Sequence, residues 1–196
     1  MIATARIEAI HRIHDIEHDV IMYYIRQAEN SLRKSGRKIG TYKGADLFIA
    51  GDAINSWLVF QHEGNTLYVI KSKRKSLGRS LYGQQVIAAR NPYMRTELAR
   101  TTGFAVHAFK NIYLKQYDAI VSSHQMTDRG FLAFSNAVEA AFRRRKFIYL
   151  YDERRTPITI TRVESMSDYT SKGDWIFDSE SGNQMRLIVI SNKELK

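Results

Sequence analysis

The sequence predicts an α/β fold built on a mixed sheet, and three observations carry that expectation. First, the hydrophobic period changes along the chain. Residues 3–32 repeat apolar side chains at helical spacing, and short runs rich in aromatic and β-branched residues follow. Second, two short apolar runs, "YDAIVSS" and "KFIYLYD", bracket a segment of helical period from Asp128 to Arg145. A strand, a helix and a strand of that length make a right-handed crossover joining adjacent parallel strands. Third, "PITITRVE" and then "DWIFDSESGNQMRLIVIS" read as antiparallel strands around a Ser-Gly-Asn turn.

The elements follow in order. In the first helix Ile10, Ile13, Val20, Ile21, Tyr24 and Ala28 recur at helical spacing. Segment 33–44, basic and Gly-containing, reads as a linker or exposed loop. A helical arm with a basic linker, residues 1–45, thus precedes an α/β domain, residues 46–196. "ADLFIAG", "SWLVFQ" and "TLYVIKS" are strands, and "HEGN" between the last two suits a hairpin. "SLYGQQVIAA" fits a strand or a helix and is closed by Pro92. "MRTELARTTG" and "FAVHAFKNIYLKQY" read as helical. In the crossover helix Phe131, Phe134, Val138 and Phe142 share a face, with Ala137 and Ala141 beside them. Thr127 is its expected cap, Asp128 favours its first turn, and the basic run 143–146 suits its C-terminal dipole.

Composition bounds the function. Of 196 residues 44% are hydrophobic and 26% charged, which is globular and supports a real core. The absence of cysteine excludes disulfides and thiolate zinc sites, and it fits a reducing compartment. Arg6, Glu8, His11 and Arg12 interrupt the apolar run a signal peptide needs. No window approaches the ~18 uninterrupted apolar residues of a membrane span. The expectation is a soluble intracellular protein with no membrane partner.

The formal charge is +10, and 16 of the 30 Lys and Arg fall in four short stretches. These are "RKSGRKIGTYK" (33–43), "KSKRKSLGR" (71–79), "RRRK" (143–146) and Arg154–Arg155. The first three contain no acid, so their field favours a polyanionic partner: an acidic protein surface, a nucleic acid or the phosphates of a cofactor. Lys71, Lys73, Arg74, Lys75, Arg79, Arg143, Arg144 and Arg145 are the candidate contacts. Tyr42 and Tyr68 lie near Lys clusters, the pairing used for backbone contact with base stacking. Plain solvation of the surface is the competing explanation.

A polar elbow, "SSHQMTDRGF", separates the run "YDAIVSS" from the crossover helix. Ligands bind beyond the carboxyl ends of parallel strands, where free N–H groups of a helix start favour phosphate oxygens. Gly130 and Arg129 suit that role, whereas Asp128 opposes it. An ordinary strand-to-helix connection is the alternative.

Residues 107–153, "HAFKNIYLKQYDAIVSSHQMTDRGFLAFSNAVEAAFRRRKFIYLYDE", resemble GNAT-like proteins encoded by bacteriophages, relatives of the GNAT family of N-acetyltransferases. The resemblance covers about a quarter of the chain. It implies a mixed, splayed sheet with acetyl-CoA entering between two parallel strands. It also implies a pyrophosphate turn of pattern Gln/Arg-x-x-Gly-x-Gly/Ala at the start of a helix, in a protein of the host cytoplasm or virion. On that pattern Thr127, Arg129 and Gly130 form one frame, in which Thr127 replaces Gln or Arg and Leu132 the small last residue. "KSLGRS", Lys75–Ser80, is a second frame with Gly78 and Ser80 in place and Lys75 first.

No catalytic residue is carried over. An acetyltransferase needs a base and an acid such as Tyr. Tyr149 and Tyr151 follow the crossover helix, but nothing in their spacing distinguishes them from the other nine tyrosines. His11, His14 and His18 share one side of the first helix and could ligate a metal or form a wet face. Ser-His-Asp chemistry at "SSHQ" is excluded, because neighbours on one turn cannot aim at each other. The expected function is therefore binding to a host protein, a virion component or nucleic acid, with a degenerate acetyl-CoA motif. Acetyl-CoA-dependent N-acetyl transfer and non-specific nucleic-acid binding are the alternatives.

Overall fold

The computed structural model describes residues 2–52, 54–77, 82–94, 103–122, 128–153, 158–172 and 186–195, with side chains outside the description at 2–17, 128–133 and 186. Among the described residues nine strands make a mostly antiparallel sheet in the order β1-β2-β3-β4-β5-β6-β9-β7-β8. They are β1 (Arg37–Tyr42), β2 (Ala45–Gly51), β3 (Asn55–His62), β4 (Asn65–Ser76), β5 (Tyr82–Arg90), β6 (Ala119–Val121), β7 (Phe147–Asp152), β8 (Thr159–Val163) and β9 (Arg186–Ser191). Helix α1 (Ile2–Ser35) precedes them. Between β5 and β6, α2 (Phe104–Ala108), a π-helical turn (Phe109–Tyr113) and α3 (Leu114–Gln116) run without a break. Helix α4 (Asp128–Phe142) joins β6 to β7, and α5 (Met166–Ser171) follows β8. The chain divides into two compact units, Met1–Lys71 with Ala88–Thr102 and Ser72–Ile87 with Gly103–Lys196.

In the first unit α1 lays Ile25 and Ala28 against Ala50, Trp57, Val59, Val69 and Ala89, with Ile21 and Leu32 packed beside them. The positions 21, 25, 28 and 32 form the helical stripe that the core selects. Val20, expected in that stripe, is 47% exposed instead. Segment 33–44 is not a linker: residues 37–42 form β1, paired antiparallel with β2 from Arg37↔Ile49 to Tyr42↔Ala45. Its side chains are exposed apart from the half-buried Ile39 and Tyr42, and Lys38 meets Asp46 at 2.7 Å. Such a charged strand at the end of a sheet discourages pairing with another chain. Lys43–Gly44 and Glu63–Gly64 close the first and third hairpins, with positive φ at both residues of each turn. That is what a two-residue turn matching the strand twist demands, and "HEGN" performs as expected.

In the second unit the predicted neighbours do not touch. β6 and β7 point the same way, joined by α4, yet β9 lies between them, antiparallel to both. The adjacent parallel pair expected there is therefore corrected to a pair split by a third strand. The physical reason is in the sequence of β9, "RLIVIS", whose residues 187–191 are all buried. A strand apolar on both faces belongs inside a sheet. Ile120, Ile190 and Ile148 stand in one row across the three strands, and all are fully buried. On the other face Ala119, Val121, Tyr149, Tyr151, Leu187 and Val189 cluster with Leu77. Helix α4 buries Phe134, Ala137, Val138 and Ala141, and Phe134 meets Phe109 with centroids 5.6 Å apart. The Ser-Gly-Asn turn and the strand expected before it lie outside the described residues.

Helix α5, not anticipated, is short and polar. Ser165 caps it by accepting the Asp168 amide at 3.1 Å, while Asp168 accepts the Glu164 amide at 3.0 Å. Reciprocal capping of this kind nucleates a single turn without a hydrophobic stripe.

Candidate functional site

A parallel pair does exist, one step away from the expected place. β5 runs parallel to β6 through Gly83↔Ala119, Gln84↔Ile120 and Gln85↔Val121. The approach is close because Gly83 has no side chain: a Cβ there would lie 2.7 Å from Val121 Cγ2. The pairing is also brief. β5 continues to Arg90 after β6 has ended at Val121. Past that point the pairing of β6 with β9 continues: Ser122 N–H donates to the Ile188 carbonyl and the Ser122 hydroxyl accepts the Ile188 amide, at 2.8 and 2.9 Å. Gln85 Nε2 donates to the Ser122 carbonyl at 3.1 Å.

Helix α2 opens at Gly103, whose φ of 83° and ψ of 1° are left-handed, and a glycine cap has no side chain to close the first turn. The first N–H groups of any helix have no partner within the helix and lie at its positive end. Reading backwards from this glycine reveals a hexapeptide, "RTTGFA" (Arg100–Ala105), of the form Arg-x-x-Gly-x-Ala. It satisfies every position of the turn pattern against which the frames at Lys75 and Thr127 were tested. The signal was legible, but the residues stood inside a stretch assigned to helix. Arg100, Thr101 and Thr102 lie outside the described residues, while Phe104 and Ala105 are buried.

Of the two frames expected from the sequence, Gly78, Arg79, Ser80 and Thr127 lie outside the described residues. Arg129 and Gly130 stand in the first turn of α4.

The basic stretches are less uniform in space than in sequence. Lys71 Nζ sits 5.5 Å from the ring centroids of both Tyr24 and Trp57, held by two cation–π contacts. The Arg74 guanidinium stacks 3.8 Å above the Tyr82 ring. Lys75 pairs with Glu153 at 2.7 Å. Lys73 alone of this group is exposed without such a contact among the described residues. Alternation along β4 puts Lys71, Lys73 and Lys75 on one face and Arg74 on the other, so the difference within the lysines comes from their neighbours, the Tyr24 and Trp57 rings at Lys71 and Glu153 at Lys75. Past α4, Arg143 pairs with Glu139, while Arg144 and Arg145 are exposed.

Tyr149 and Tyr151 both belong to the core cluster. The Tyr149 hydroxyl accepts the Leu195 amide at 2.9 Å. Burial, then the Glu153 charge, pushes the Tyr151 hydroxyl up. His18 Nε2 lies 2.9 Å from the Tyr93 hydroxyl, and the side chains of His11 and His14 are outside the described residues. His107 is pushed down, first by burial and then by the Lys110 and Lys115 charges. No helix among the described residues is long and apolar enough to cross a membrane.

Comparison with protein-family models, with curated proteins and with solved structures finds no match to this chain.

Proposed function

We propose that the chain is a GNAT-like protein, of the kind encoded by bacteriophages, that holds acetyl-CoA on the turn at Gly103 and passes its acetyl group to an amine. One observation carries this reading: a briefly paired parallel strand, a hexapeptide of the family's phosphate pattern and a helix opened by a left-handed glycine follow one another along the chain. The resemblance asks for acetyl-CoA between two parallel strands, and β5 with β6 is such a pair. The pattern asks for a backbone that phosphate oxygens can approach, and Gly103 and Ala105 carry no bulk to prevent it. It asks for a cation or amide donor three residues ahead, which Arg100 supplies.

The expectation of a degenerate acetyl-CoA motif rested on two imperfect frames, with Leu132 against the first and Lys75 at the head of the second, and on the lack of an assignable catalytic residue; neither frame includes the Arg100–Ala105 turn. In the transfer an amine nitrogen attacks the thioester carbonyl. The N–C bond forms, the C–S bond breaks, the thiolate leaves with CoA and the amine loses a proton to a base. No side chain is assigned as that base.

Titration calorimetry with acetyl-CoA tests the reading. Micromolar binding is expected, weakened about tenfold by Arg100→Ala and by Gly103→Asp. Aspartate tolerates the left-handed backbone while its charge repels phosphate. Gly78→Asp and Gly130→Asp are expected to leave binding unchanged. Wild-type protein that takes up no acetyl-CoA overturns the proposal, and loss confined to Gly78→Asp moves the site to Lys75–Ser80.

A further inference from the structure

The second unit also carries a cleft of about 160 Å³ between the helical run 104–116, helix α4 and strands β6 and β9. Its floor is apolar: Phe109, Leu114, Ile120, Ala141 and Ile190. Its rim is cationic, with Lys110 and Lys115 on one side and Arg144 and Lys146 on the other. None of the described residues lining it is a carboxylate, and among the described residues no acid pairs with any of the four cations. The neighbouring acids are engaged elsewhere, Glu139 with Arg143 and Asp118 with Lys193.

These cations are not needed to finish the helix. The carbonyls of Ala141 and Phe142 are taken by the backbone amides of Lys146 and Arg145, both at 3.0 Å. Four positive charges around an apolar hole are costly to leave together, and an anionic partner removes the repulsion. His107 is lowered first by burial and then by the Lys110 and Lys115 charges.

We propose that this cleft docks a short acidic segment of a partner protein. One bulky aliphatic or aromatic side chain enters between the helices, and flanking carboxylates meet Lys110, Lys115, Arg144 and Lys146. The size sets the anchor, because a cavity near 150 Å³ accommodates about one benzene ring. Ala137, Ala140 and Ala141 keep the α4 wall low enough to admit it. A nucleic acid fits less well: Phe109, the aromatic residue of the floor, is buried and offers no open face for a base to stack on. The inference is independent of acetyl-CoA binding and uses none of the residues placed at the Gly103 turn.

Fluorescence anisotropy on the full chain tests it, with labelled heptapeptides of alternating Asp and Glu around a central Leu, Phe or Ser. The Leu or Phe peptide is expected to bind at least about tenfold tighter than the Ser peptide. Ala140→Trp, which fills the cleft, and Lys110→Glu with Arg144→Glu are each expected to abolish that preference. Lys73→Glu, outside the cleft, is expected to preserve it, and melting curves verify that every variant is folded. Three results overturn the proposal: equal binding of the Ser peptide, full displacement by oligo-dT at matched charge, or no peptide binding below about 1 mM. The first two reduce the cleft to a general polyanion surface.

Discussion

Lys75 Nζ lies 2.7 Å from Glu153 Oε1, and fewer than a fifth of either side chain's surface is exposed, 17% and 18%. A residue that sequence places in a basic patch is thus a structural cation of the second unit. Lys75→Ala leaves a half-desolvated carboxylate and is expected to cost about 1–3 kcal/mol. Lys73→Ala, on an exposed position, should stay within about 0.5 kcal/mol. Urea midpoints of the two variants make the comparison, and equal values would return Lys75 to the solvated surface.

Gly83 offers a sharper test of the parallel pair. A Cβ at this position meets Val121 Cγ2 at 2.7 Å and Leu77 Cδ1 at 3.3 Å. Gly83→Val should therefore force β5 from β6 and destabilise the protein by about 1–3 kcal/mol. Gly40, whose Cβ would meet nothing within 4 Å, is the control. Denaturant titration of Gly83→Val and Gly40→Ala reads the difference.

Arg145 ends α4 at φ 54°, a left-handed position where glycine is the usual occupant. The Lys146 and Arg145 amides bond back to Ala141 and Phe142, so the conformation is fixed by the helix end itself. Arg145→Gly removes a strain of about 1 kcal/mol and should raise the melting midpoint by about 2–4 °C. A fall in the midpoint would mean that the arginine side chain contributes more than its backbone costs.

Acid sensitivity has a defined origin at α5. Lys172, and after it the Glu164 amide, hold the Asp168 carboxyl below the usual carboxylate range. Asp52 is lowered in the same sense by the Asn55 and Ile54 amides. A carboxyl depressed in the folded state stabilises fully above its unfolded value, about pH 4, and loses that effect as pH falls through the folded value. Asp168→Asn should thus be less stable at neutral pH and lose less on acidification from about pH 4 to about pH 2. Parallel curves for variant and wild type would place the acid response elsewhere.

What could be read from the sequence was what local pattern encodes. β2, β3, β4 and β7 are apolar runs, the Glu63–Gly64 turn has its own chemistry, and α4 has a hydrophobic face. β1 escaped because Ile39 is its only aliphatic residue and pairing with β2, not burial, holds it. α5 escaped because Ser165 and Asp168 define it by capping. The position of β9 was beyond reach, since Ile190 meets Ile120 and Ile148 across 70 and 42 residues of chain. The hexapeptide at Arg100 was readable in principle. It became visible only when the left-handed Gly103 showed where the helix begins.

The interleaving of β9 imposes an order on biosynthesis. β6 and β7 leave the ribosome first, and each then carries an unsatisfied edge meant for a strand not yet translated. Their apolar rows, with Ile120 on one and Ile148 on the other, stand one strand apart in the finished sheet. A nascent chain stopped at residue 185 therefore exposes two sticky edges at once, the condition under which chaperones are recruited or aggregates start. Strand β9 supplies the partner of both edges.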